Sequence, residues 1–110
     1  MTDTLTTKTC TPCQGGIPPL SDKLAAKYLI QTDGWELLEE STTIARTYSF
    51  DDFKGAMEFV TKVAQLAEAE GHHPDIEFGW GYATISLQTK KIKGLHENDF
   101  IMAAKINDFL

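Results

Sequence analysis

The chain has 110 residues, 16 acidic against 10 basic side chains, a net charge of −6 and 42% hydrophobic residues, enough for one small globular domain. A domain of this size buries only about two-thirds of its unfolded surface, so pairing with further copies is an economical way to bury more. The acidic balance argues against a protein that grips nucleic acid through its phosphates. No apolar run approaches the roughly 20 residues of a membrane-spanning helix.

Residues 1–20 read as a polar, threonine-rich arm. Gly15, Gly16, Pro18 and Pro19 forbid regular structure there, so the arm is expected to be extended or to dock loosely on a domain spanning 21–110. The polar start lacks the apolar stretch of a secretion signal, and two cysteines build no disulfide framework, which together point to the cytoplasm. Ser21 is placed to cap a helix running to about Gln31, with Leu24, Tyr28 and Leu29 on one face and Asp33-Gly34 as its stop. Residues 35–38 and 42–50 read as two strands, the second alternating Ile44, Tyr48 and Phe50 with Ala45, Thr47 and Ser49.

The clearest helix covers about 51–70. Phe53, Met57, Val60, Ala64 and Ala67 recur at helical steps, Gly71 is the stop, and Ser49 with Asp52 resembles a capping box. Ile76, Phe78 and Trp80 alternate as one short strand and Ala83, Ile85 and Leu87 as another, with Gly79 and Gly81 at the turn. A last helix over about 97–109 starts from His96, with Leu95 and Phe100 placed as a hydrophobic staple. The order helix, strand, strand, helix, strand, strand, helix predicts an α+β fold, a four-stranded antiparallel sheet with three helices on one face.

Histidine titrates nearest neutrality and so suits proton transfer in both directions. Two of the three histidines are adjacent, His72 and His73, between a helix stop at Gly71 and the stiffening Pro74. A turn that aims two imidazoles is what acid/base chemistry needs, although a polar loop with one capping and one exposed histidine is the ordinary alternative.

The surrounding pattern favours chemistry. Glu68 stands four residues before His72-His73-Pro74, followed by Trp80, Gly94-Leu95 and Asp99, within "EGHHPDIEFGWGY" and "KGLHENDFIMAAKIN". This pattern resembles the pterin-4a-carbinolamine dehydratases, and "GGIPPLS" and Trp35-Glu36-Leu37 extend the likeness over nearly the whole domain. The resemblance implies a hydro-lyase that expels water from a 4a-hydroxytetrahydropterin to give quinonoid dihydropterin, in recycling of the tetrahydrobiopterin-type cofactor. It implies His72 and His73 as catalytic, and Glu68, Pro74, Trp80, Lys90 and Asp99 as substrate-binding. It calls for no metal or redox cofactor, and it implies a homodimer or homotetramer built by edge-to-edge pairing of sheets. Glu68 is placed to orient an imidazole, with a solvated helix end as the plain alternative; Trp80 either borders the pterin or fills the core.

One position departs from the pattern. Where the family has histidine or tryptophan, ten residues beyond Trp80, this chain has Lys90 in "TKKIKG". A lysine of ordinary pKa, near 10.4, is a fixed cation that donates hydrogen bonds but exchanges protons poorly. Lys90 therefore favours binding over acid/base work and keeps a second reading open, a non-catalytic relative acting in assembly of Rubisco or as a dimerisation cofactor of transcription factors. Its plain alternative, with Lys91 and Lys93, is a solvated basic hairpin end. His96 stands where the family commonly has serine or threonine, the better helix caps. Cys10 and Cys13 supply two thiols of a possible zinc site that needs four ligands, and two free thiols on an arm are the simpler reading.

Overall fold

The computed structural model describes residues 5–10 and 17–110. Helix α1 (Asp22–Leu29) leads into strands β1 (Glu36–Leu38) and β2 (Thr43–Ser49), then helix α2 (Phe53–Glu70), strands β3 (Asp75–Gly79) and β4 (Tyr82–Leu87), and helix α3 (Glu97–Asn107). The strands form one antiparallel sheet in the order β1-β2-β4-β3, so the second hairpin inserts β4 beside β2 and leaves β1 and β3 at the edges. This is the α+β architecture expected from the element order.

Period-two alternation decides which face of the sheet is covered. Ile44 and Tyr48 of β2 and Ala83, Ile85 and Leu87 of β4 are at most 2% exposed, while on the opposite face Thr47 and Thr84 meet through a 2.8 Å hydroxyl contact. The helices close the apolar face, and α3 lies deepest, with Phe100, Ile101, Met102, Ala103 and Ile106 buried.

Three local expectations are corrected. The stripe of α2 that enters the core is Ala56, Phe59, Val63 and Ala67, while Phe53 and Met57 are exposed. Apolar side chains ring more than one side of α2, and the sheet takes the stripe carrying Phe59, whose ring packs on Tyr48 and Phe50 at centroid distances of 4.6 and 5.1 Å. The cap of α2 is Asp52, not Ser49: its carboxylate accepts the Gly55 N–H at 2.8 Å, a stronger acceptor already at the junction. Trp80 belongs neither to β3 nor to the core. It sits in the two-residue turn before Tyr82, where Gly81 takes a φ of +84°, and it is 71% exposed.

Within the arm, residues 5–10 are held against the domain, while Ile17, Pro18 and Pro19 are exposed. Leu5 opens a 3-10 turn (Leu5–Thr7) and is 3% exposed within the core cluster, a tighter attachment than loose docking. Lys8 reaches Glu97, and the Cys10 N–H donates to Glu70 at 2.8 Å. Cys13 lies outside the described residues.

Candidate functional site

The C-terminus of α2 aims the histidines. Gly71 adopts the left-handed conformation (φ 68°, ψ 25°) and closes its N–H on the Ala67 carbonyl at 2.9 Å, so the chain turns sharply before His72. Pro74 then feeds the chain into β3, and the two imidazoles diverge to different carboxylates.

His72 points inward, with its side chain 11% exposed and Nε2 2.6 Å from Oδ1 of fully buried Asp99. The other oxygen of Asp99 accepts the Thr89 hydroxyl at 2.7 Å and the His96 backbone N–H at 3.0 Å. A carboxylate only accepts hydrogen bonds, so the imidazole proton facing it sits on Nε2, and in the neutral ring Nδ1 then carries the lone pair. Asp99 also occupies the first turn of α3, where the helix dipole favours a negative charge. His73 points outward, 60% exposed, with Nε2 2.6 Å from Oε2 of Glu68. Glu68 thus partners the second histidine, because the turn at Gly71 folds His73 back along the helix end.

A cavity of about 230 Å³ opens beside these rings, lined by Gly71, His72, His73, Gln88, Thr89, Lys90 and Lys91. Lys90 begins a 3-10 turn (Lys90–Ile92) and reaches Asp75 Oδ1 at 3.5 Å, both side chains being largely exposed. The strand-like bridge between Thr89 and Gly94 holds the two ends of this loop together.

Of the residues singled out in the sequence, His72, His73 and Lys90 therefore meet at one cavity, and Glu68 and Asp99 support its histidines. Asp99 is completely buried and reaches a ligand only through His72. Pro74 shapes the turn without lining the cavity. Trp80 lies in the turn beyond the far end of β3, whose Asp75 and Gly79 are roughly 13 Å apart at about 3.3 Å per residue. His96 spends its ring as a helix cap, Nδ1 accepting the Asn98 N–H at 3.0 Å. Thr89 and Gln88 carried no sequence signal, since a threonine beside a glutamine is ordinary strand-end composition.

Two other features lie apart from the histidines. A larger cavity of about 590 Å³ is lined by Gln31, Asp33, Arg46 and Asn107 and opens beside Leu5 and Thr6, with no histidine or cysteine among the described residues of its walls. Burial, and then the nearby Glu70 carboxylate, push the Cys10 thiol up to about 12, so it stays protonated near neutrality and is a poor nucleophile or metal ligand.

The pterin 4 alpha carbinolamine dehydratase family model matches residues 18–109. The chain belongs to this family. A relative from Azoarcus sp. (strain BH72), provisionally named a pterin-4-alpha-carbinolamine dehydratase, is 61% identical over 105 residues, covering 96% of this chain and 90% of the relative. A relative of the same provisional name from Methylococcus capsulatus is 57% identical over 94% of this chain and 91% of its own length. Among solved structures, the transcriptional coactivator/pterin dehydratase from Brucella melitensis superposes with a TM-score of 0.78 at 30% identity, covering 82% of this chain and 96% of that one. A pterin dehydratase-like protein described as a RuBisCO assembly factor of the alpha-carboxysome shares the fold, with a TM-score of 0.60 at 24% identity over 68% of this chain and 87% of its own.

Proposed function

We propose that this family member dehydrates 4a-hydroxytetrahydropterin to quinonoid dihydropterin, returning the cofactor oxidised by a hydroxylase to its recycling route. The supporting observation is the pair of adjacent imidazoles beside one cavity, each tethered through Nε2 to its own carboxylate at 2.6 Å. In the reaction the bond from the ring-fusion carbon to its hydroxyl oxygen breaks. The neighbouring ring nitrogen loses its proton, and a carbon–nitrogen double bond forms between the two atoms. One acid and one base suffice, and water is the leaving group.

The two environments divide the roles. His72 keeps a lone pair on Nδ1 because Asp99 holds the proton on Nε2, which suits removal of the ring-nitrogen proton. His73 is solvent-exposed and regains a proton from bulk water between turnovers, which suits protonation of the departing hydroxyl. Lys90 donates to polar atoms of the pterin at the cavity rim. Trp80, Phe53, Met57 and Phe78 are exposed apolar side chains near the edge strand β3, with Phe53 stacked on Phe78 at 5.5 Å. They support covering of this region by another copy, in a homodimer or homotetramer.

A second reading rests on Lys90. A lysine where the family has histidine or tryptophan suits a relative that keeps the fold and binds without turnover. Measurement of carbinolamine dehydration by the purified protein separates the two: accelerated dehydration supports the enzyme, and a rate equal to the uncatalysed background overturns it.

A further inference from the structure

We infer that Thr89 is a positioning residue of the histidine site, setting the tautomer of His72 through Asp99. The role given to His72 rests on the dehydratase reading; the Thr89–Asp99–His72 linkage rests on geometry alone. Thr89 is 2% exposed and Asp99 fully buried, so no water competes for the 2.7 Å bond from the Thr89 hydroxyl to Asp99 Oδ2. That bond and the His96 N–H at 3.0 Å both fall on the same oxygen. Together they stop the carboxylate turning about its last bond and present Oδ1 to His72 Nε2 at 2.6 Å.

Nothing else in the loop gives Thr89 such a task. Its backbone already pairs with Gly94, N–H to carbonyl at 2.9 Å, and its hydroxyl makes no cap for the following turn. The hydroxyl instead crosses ten positions of sequence to the first turn of α3. The loop that lines the cavity and the helix that holds the carboxylate are thereby joined at one buried hydrogen bond. Removing it leaves Oδ2 with a single fixed donor and lets the carboxylate rotate. His72 then shares its proton between Nε2 and Nδ1, and a ring protonated on Nδ1 has no lone pair there.

The test combines ring-nitrogen NMR with kinetics on wild type, Thr89→Val and Thr89→Ser. Two-bond proton–nitrogen correlations of uniformly ¹⁵N-labelled protein should show His72 in the Nε2–H tautomer in wild type and in Thr89→Ser. Thr89→Val should give a mixed tautomer, with kcat lowered roughly tenfold or more, as for loss of a partner that orients a working side chain. KM should stay near wild type, and serine should restore kcat. If valine prevents folding, Thr89→Ala supplies the same comparison. A His72 found as Nδ1–H in wild type overturns the inference, as does an Nε2–H signal unchanged in Thr89→Val. A wild type without dehydratase activity overturns the proposed function instead, and the tautomer signal alone then decides the role of Thr89.

Discussion

Asp99 serves His72 and helix α3 with different oxygens: Oδ1 lies 2.6 Å from His72 Nε2, while Oδ2 accepts the His96 N–H at the start of the helix. One side chain thus couples the orientation of an imidazole to the cap of the most deeply buried helix. Asp99→Asn should therefore lose stability and activity together. An amide offers a donor where His72 already donates, and it weakens the cap by about 1 kcal/mol. Thermal unfolding should show a lower Tm, and turnover should fall roughly 100-fold or more. Loss of one property without the other would show that the two oxygens act independently.

Much of this arrangement was legible in the sequence. The element order and the alternation of Ala83, Ile85 and Leu87 place the sheet, and Gly71-His72-His73-Pro74 reads as a stiff turn between α2 and β3. Other features were not, for identifiable reasons. Helical spacing shows that α2 is apolar but not which of two overlapping stripes meets the sheet, and Phe59 decides that by packing on Tyr48 and Phe50. The spacing of Glu68 to His72 suggests a one-turn pair, yet the left-handed Gly71 passes Glu68 to His73. The task of Thr89 depends on a contact between two elements, which no local pattern encodes.

Lys90 lines the cavity with its side chain 70% exposed, so its hydrogen bond to a pterin should be worth the lower end of a charge-assisted bond. Lys90→Ala should raise KM about tenfold, equivalent to about 1.4 kcal/mol, and leave kcat nearly unchanged. Lys90→His should match or exceed wild-type turnover. A collapse of kcat in Lys90→Ala would instead make the lysine a proton donor.

Glu70 links the arm to α3. The Cys10 N–H first, and Lys105 after it, hold its carboxyl below the usual range, outweighing the opposing effect of burial. A carboxyl with a depressed folded pKa stabilises the fold above its unfolded pKa, about 4.3 for a glutamate. That contribution is lost as pH falls through the lower folded value, because the unfolded chain takes up the proton first. Denaturant unfolding of wild type and Glu70→Gln should show an advantage of wild type at neutral pH that shrinks steadily below about pH 4.3. A constant difference across that range would contradict the linkage.

The exposed edge strand β3 and the uncovered Phe53, Met57 and Trp80 make an isolated subunit an aggregation hazard. Sedimentation equilibrium at micromolar concentration should give a dimer or tetramer. Phe53→Glu with Met57→Glu should shift it toward smaller species. A single 12.2 kDa species in wild type would refute the assembly.

The central claim is that His72 and His73 divide one proton transfer each. The direct measurement is stopped-flow dehydration of a freshly generated 4a-hydroxytetrahydropterin by wild type, His72→Ala and His73→Ala, with folding checked by circular dichroism. The account predicts acceleration by wild type and a loss of roughly 10²- to 10⁴-fold in each folded variant, the usual effect of removing a general acid or base. Wild-type rates in both variants, or no acceleration by the wild type, would contradict it.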